Sequence, residues 1–236
     1  MPYMNASNGN GSLSINSQMN RGKDQPSKVF FTLDRLFKET YTVQFNGEKI
    51  RELGLMFWPE NSNGTLAEMR VLFINQLIRE LEGMPLPKHK PLILVSLGAS
   101  GLLTEYFIHK GLTDAGFTSL HWRFLNALYH PGQLVIEAVK DFTFRAQARV
   151  ETFTSNQDYL NPVAISKPSL LQDCQAGGVV VLSLDLPLPP FGAIQGNIPN
   201  RDNDICLAEL QASIRAHAAA YLFACLDKSE FTFEQS

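Results

Sequence analysis

The sequence predicts a three-layer α/β fold with a mostly parallel sheet, preceded by a small N-terminal β element. Three observations predict it. Short apolar runs of strand length alternate with segments of helical period. A glycine-rich turn, Gly98-Ala99-Ser100-Gly101, divides one such strand from the helix after it. The run from Gly177 to Asp185 is apolar enough to be buried on both faces, as central parallel strands are. A chain of 236 residues with 44% hydrophobic and 18% charged side chains has the composition of a globular protein, which excludes collagen, wholesale disorder and a long coiled coil.

Residues 1–27 are polar, rich in Ser and Asn, and read as a disordered tail without the apolar stretch of a secretory signal. Residues 28–236 then form one domain. It opens with KVFFTLDRLF and YTVQF, rich in aromatic and β-branched residues, and Asn46-Gly47 after the second run is a hairpin signal because a type I′ turn needs positive φ at both central residues. Thr65 and Glu68 have the spacing of a capping box and start a helix whose buried face carries Leu66, Met69, Phe73, Leu77 and Leu81, with Gly83 as its left-handed stop.

Leu92 to Leu97 is the first central strand, and Leu102, Leu103, Tyr106 and Phe107 share the next helix face, with Gly116 as its C-terminal cap. Ser119 to Leu125 is a second strand, Gln133 to Ala146 a helix, Arg149 to Thr154 a third strand, and Ser155 to Tyr159 a polar turn. Gly177 to Asp185 is the fourth strand. The Pro- and Gly-rich stretch 186–203 is a long loop of the kind that often serves function. A final helix is expected over 204–226, because Leu207, Leu210, Ile214, Ala218, Tyr221 and Cys225 keep a three-to-four spacing.

A glycine turn between strand and helix lets backbone approach a ligand while the helix N-terminus offers free N–H groups. In open parallel sheets ligands sit outside the carboxyl ends of the strands, where Gly98 to Gly101, Asn126 and Asp185 gather, a Rossmann-like arrangement. The run Leu97-Gly98-Ala99-Ser100-Gly101 resembles a shortened form of the loop of class I S-adenosylmethionine-dependent methyltransferases, and Leu188-Pro189-Pro190-Phe191 resembles the motif after that family's fourth strand. The resemblance covers about Thr65 to Phe191. It implies S-adenosylmethionine as cofactor, Gly98, Ser100 and Gly101 at the cofactor turn, and a ribose contact at the end of the second strand. The family usually has a carboxylate there and this chain has Asn126. Asp185 stands in for the polar residue of the second motif as the catalytic group, with Pro190 and Phe191 on the side of an acceptor that the sequence does not name. The family's sheet is finished by strands after the last helix, and only SEFTF, 229–233, is found there.

Two other classes compete with methyl transfer. One is a serine hydrolase with Ser100 in a nucleophile elbow and the order Ser100, Asp185, His217. The other is a Rossmann-like interaction module without chemistry. The remaining histidines form no HxH or HxxxH pair, so no metal is expected, and His109, Glu105 and Asp114 read as solvated helix surface. Trp122 and Tyr129 are either core residues or an adenine platform. A net charge of -3 gives no nucleic-acid footprint, and no apolar run has the length of a membrane span. Cys174, Cys206 and Cys225, odd in number and widely spaced, point to a reducing, cytoplasmic location. The polar, acidic C-terminus resembles that of exported bacterial effectors, so delivery into a host cell is the alternative.

Overall fold

The computed structural model describes residues 44–45, 48–49, 65–99, 102–131, 134–164, 166–184, 201–226 and 231–236. Their order is β1 (Gln44–Phe45), β2 (Glu48–Lys49), α1 (Thr65–Gly83), β3 (Leu92–Leu97), α2 (Leu103–Asp114), β4 (Leu120–Leu125), α3 (Leu134–Ala146), β5 (Arg149–Phe153), α4 (Asn156–Leu160), α5 (Leu170–Ala176), β6 (Gly178–Leu184), α6 (Arg201–His217), β7 (Tyr221–Leu226) and β8 (Phe231–Gln235). The expected tail 1–27 and first strand after Lys28 lie outside the described residues. Of the hairpin, the two strand ends are described, Phe45 pairing antiparallel with Glu48, while Asn46-Gly47 lies outside the described residues.

The large sheet runs β5-β4-β3-β6-β7-β8, parallel except for β8 at its edge. Period-two alternation divides its side chains between two layers. Leu92, Leu94, Trp122, Phe124, Val180, Leu182, Leu222 and Ala224 point into a core with α1, α2 and α3. Ile93, Val95, Val179, Val181 and Phe223 point the other way, onto Tyr159, Leu170, Cys174, Leu210 and Ile214 of α4, α5 and α6. Helices thus change face where the strand order reverses, between β3 and β6, which a single crossover hand requires. The expected Rossmann-like α/β class is the one observed.

The C-terminal third differs from expectation. The helix stops at His217, and Tyr221–Leu226 is a strand parallel to β6 rather than its last turns. Consecutive residues of β7 feed opposite layers, so its sequence is apolar at every position and also satisfies a helical stripe. β8 then folds back on β7, with Phe231 and Phe233 against Phe73 of α1 and Arg215 of α6 paired with Glu234. The sheet is therefore finished by two C-terminal strands. Gly83 also departs from expectation: it is not among the glycines with positive φ, and Pro85, which cannot donate, ends α1 instead. Gly116 does take φ 97°, and Phe117 N–H to Leu112 O and Gly116 N–H to Thr113 O close a Schellman turn.

The expected polar turn Ser155 to Tyr159 is instead the start of the helix Asn156–Leu160, with Ser155 as its extended N-cap. The Ser155 side chain accepts from Asp158 N–H, and Ser169 with Gln172 makes a complete capping box for α5. Asp158 of α4 and Lys167, which precedes α5, also meet the open edge of β5. Asn126 N–H bonds to Phe153 O, so the intervening Thr152 O and Thr154 N–H face outward. Lys167 Nζ donates to Thr152 O at 2.6 Å, Asp158 Oδ2 accepts from Thr154 N–H at 3.4 Å, and the two side chains approach to 3.7 Å. This ion pair occupies groups on which another strand would otherwise pair.

His109 is half-buried rather than solvated. Its Nδ1 accepts the Trp122 indole N–H at 3.2 Å, and its ring meets Phe142 edge-to-face. Burial holds its pKa below the ordinary 6.5, against a smaller upward pull from a hydrogen bond with the Ala146 backbone. A depressed folded pKa gives stability that is complete above about pH 6.5, the unfolded value, and is lost as pH falls through the folded one. His121 is lowered by burial and by Arg123 and Arg149, with Asp173 opposing; Asp141, raised by burial against its Arg145 pairing, acts in the opposite sense. His109→Gln removes the charging step, so its urea midpoint is expected to fall less than that of the wild type between pH 7 and 5. Equal slopes would take His109 out of the acid response.

Candidate functional site

The strand order reverses between β3 and β6, and the crevice outside their carboxyl ends is where open α/β sheets bind ligands. In-register pairing brings those ends level: Leu97 lies opposite Leu125 on one side and Ser183 on the other, and Leu125 opposite Phe153. The first residues beyond the strand ends are therefore Gly98, Asn126 and Thr154, with Leu184 closing β6.

Gly98 is exposed and left-handed, φ 66°, and its N–H still bonds to Leu125 O at 2.7 Å. The chain leaves the sheet at this residue because glycine bears the positive φ without a Cβ penalty. Leu102, the N-cap of α2, is also left-handed, φ 64°, and makes no side-chain cap. A non-glycine residue there carries roughly 1–2 kcal/mol of strain, which burial of the Leu102 side chain against the α1–α3 core offsets. A nucleophile elbow needs a small residue at this position, and this chain has a buried leucine.

Asn126 and Tyr129 reach back to the turn. Asn126 Nδ2 donates to Gly98 O at 3.3 Å and Ala99 O at 2.8 Å, and Oδ1 accepts from Leu128 N–H at 2.8 Å. Tyr129 is buried, and its hydroxyl donates to Ala99 O at 2.7 Å. Burial, helped by the charge of Glu105, pushes the Tyr129 phenol above its usual range, so it remains a neutral donor. Tyr129 belongs to the core and to the underside of the turn.

Beneath the turn lies a buried polar layer. Ser96 Oγ donates to Glu105 Oε1 at 2.8 Å, and Arg70 of α1 donates through Nη1 to Thr104 Oγ1 at 2.6 Å. Glu105 is 4% exposed, so it is not the surface charge its sequence neighbourhood suggested. A carboxylate in the first turn of a helix is favoured by the helix dipole, and Ser96 supplies a donor inside the sheet. The sequence signal was the single polar residue in the apolar strand LILVSL, whose partner had to come from the helix above it.

Ser100, Gly101, Asp185, Pro190 and Phe191 lie outside the described residues. The structure thus brings Gly98 and Asn126 together and describes β6 as far as Leu184, directly before Asp185. It separates His217 from them. His217 ends α6 ahead of β7, whose first residue Tyr221 aligns with Val179 and Ile93, at the amino end of the sheet. Some four residues of strand, about 13 Å, stand between that level and the glycine turn. His217 is exposed, with Nδ1 2.8 Å from Ser213 O. His217 thus stands at the opposite end of the sheet from the Gly98 turn, while Ser100 and Asp185 lie outside the described residues.

Among the described residues no group of three or more His, Cys, Asp or Glu side chains is placed to hold a metal ion, and no helix is long and apolar enough to cross a membrane. No protein-family model and no curated protein matches the chain. Among solved structures it is similar to cofactor-bound Rv0187 from MTB, at 14% identity and a TM-score of 0.36, over 80% of this chain and 69% of that one. A likeness of that size carries no correspondence between residues.

Proposed function

We propose that the chain binds S-adenosylmethionine in the crevice over the Gly98–Ala99 turn and transfers its methyl group to an acceptor on the β6 side. The observation that carries this reading is an exposed, left-handed glycine at the carboxyl end of the central strand, at the switch point, with its own carbonyl and the next one drawn inward. A backbone held in that way fits a nucleoside-type group: it has no Cβ to stop close approach, and α2 begins behind it without a side-chain cap. The two C-terminal strands that the methyltransferase resemblance calls for are present as β7 and β8.

In this reading Gly98, Ser100 and Gly101 line the cofactor turn, Asn126 stands on the ribose side, and Asp185, Pro190 and Phe191 face the acceptor. When bound, the cofactor supplies an electrophilic methyl group. The chain's contribution is position: the turn fixes one partner, and Asp185 orients the acceptor and takes its proton. Holding two reactants in line supplies much of the rate without a protein nucleophile.

Isothermal calorimetry with S-adenosylhomocysteine, with NAD and ATP as controls, tests the reading. Micromolar, selective binding is expected. Gly98→Asn, which tolerates the left-handed backbone but adds a side chain to the exposed turn, is expected to weaken it at least about tenfold with an unchanged circular dichroism spectrum. Failure of the wild type to bind S-adenosylhomocysteine would sink the proposal. Binding of none of the three is what an interaction module predicts.

A further inference from the structure

We propose that Asn126 and Tyr129 are positioning residues that clamp the glycine turn by its carbonyls, and that Asn126 acts on the cofactor through the turn rather than as a substitute ribose carboxylate. The inference rests on the cofactor reading above and sharpens it. Asn126 Nδ2 carries two hydrogens, and both have acceptors in the turn, Gly98 O and Ala99 O. Ala99 O takes a second donor from the Tyr129 hydroxyl, which fills both of its lone pairs. Asn126 Oδ1 is engaged by Leu128 N–H, so the side chain is fixed at both ends of its amide.

The amide is thus required as a donor. An aspartate in its place keeps the acceptor for Leu128 N–H, and strengthens that bond by its charge, but sets a second anionic oxygen against two carbonyl oxygens. Asn126→Asp therefore separates the two roles. If position 126 met the ribose directly, a carboxylate would improve binding. If it clamps the turn, the carboxylate loosens it. Tyr129→Phe removes the other donor with no change of shape, and leaves a carbonyl under a buried ring with one partner fewer.

The test is amide hydrogen exchange across residues 98–102, read together with S-adenosylhomocysteine affinity by calorimetry, on the full chain. Both variants are expected to exchange about tenfold faster in that segment, with α1 and β6 unchanged, and to bind S-adenosylhomocysteine about tenfold more weakly. The double variant is expected to lose less than the product of the two, because both donors serve Ala99 O. Exchange equal to the wild type in both variants overturns the clamp. So does an Asn126→Asp chain that binds as tightly as the wild type or tighter. If the wild type binds no S-adenosylhomocysteine, the cofactor reading and the positioning role fall together, while the exchange rates still decide whether the brace exists.

Discussion

Asp173→Ala is expected to remove about 3–5 kcal/mol of folding stability, a large share of the roughly 5–15 kcal/mol that holds a domain together. Arg123 of β4 points into the layer of α4 and α5, and its side chain and that of Asp173 are 6% and 5% exposed. The pair is bidentate: Nε to Oδ2 and Nη2 to Oδ1, each at 2.7 Å, with Nη1 donating to Trp122 O at 3.1 Å. Tyr159 closes the network by donating to Asp173 Oδ2 at 2.8 Å. Its phenol stays protonated because burial, and then the Asp173 charge, push its pKa well above the ordinary value. Removing Asp173 leaves a guanidinium without counterion in a buried layer, and desolvation then has no Coulombic return. Tyr159→Phe deletes one bond to a charged group and is expected to cost about 1.5–3 kcal/mol. Arg123→Met with Asp173→Leu removes the charges together and is expected to recover most of the loss. Urea unfolding at pH 7 reads all three, and an Asp173→Ala loss below about 1 kcal/mol would show that the site relaxes or hydrates.

That network was not legible in the sequence, and the reason is physical. Arg123 sits in LHWRFL between aromatic residues, and Asp173 follows fifty residues later on a helix whose only local sign was the Ser169-to-Gln172 capping spacing. Periodicity reports which face is apolar, but not which buried charge meets which. The central strands were legible because LILVSL and GVVVLSL are apolar but for one serine each and end at glycine or proline-rich punctuation. β7 was not, since YLFACL follows three alanines that continue a helix as readily as they leave one. At the site, Gly98 was read from its place between strand and helix. Glu105, Ser96 and the Tyr129 hydroxyl were missed because their polar atoms are satisfied by one another or by backbone across the layer, and beyond the lone serine in LILVSL sequence spacing does not say which group meets which.

Gly177→Ala is expected to cost about 3 kcal/mol or more, the upper range for overpacking, from the smallest side chain that can be added. Gly177 caps α5 with an extended backbone, φ -176°, so its conformation alone would admit alanine. The obstacle is contact: a Cβ there would stand 1.9 Å from Pro91 O and 2.9 Å from Pro91 C. Both are backbone atoms, and neither is free to move. The ring fixes φ of Pro91, and the next residue, Leu92, is tied through its N–H to Ser119 O at 2.8 Å. Gly178 offers the internal control, because its added Cβ would meet Leu86 Cδ2 at 2.7 Å, the end of a side chain that can rotate away. Gly178→Ala is therefore expected to cost about 1 kcal/mol, near the lower end of the same range. The difference bears on the site. Leu92 and Gly178 are opposite one another where β3 and β6 begin, and the register set there carries Leu97 and Ser183 level at the crevice. Relief of the Gly177 clash requires β6 to slide or lean away from β3, which would open the two strands that flank the glycine turn. A Gly177→Ala chain that still folds should lose S-adenosylhomocysteine affinity where Gly178→Ala keeps it. Equal denaturation midpoints for the two variants would show that β3 and β6 tolerate a shift at their amino ends, and that register at the switch point is set elsewhere.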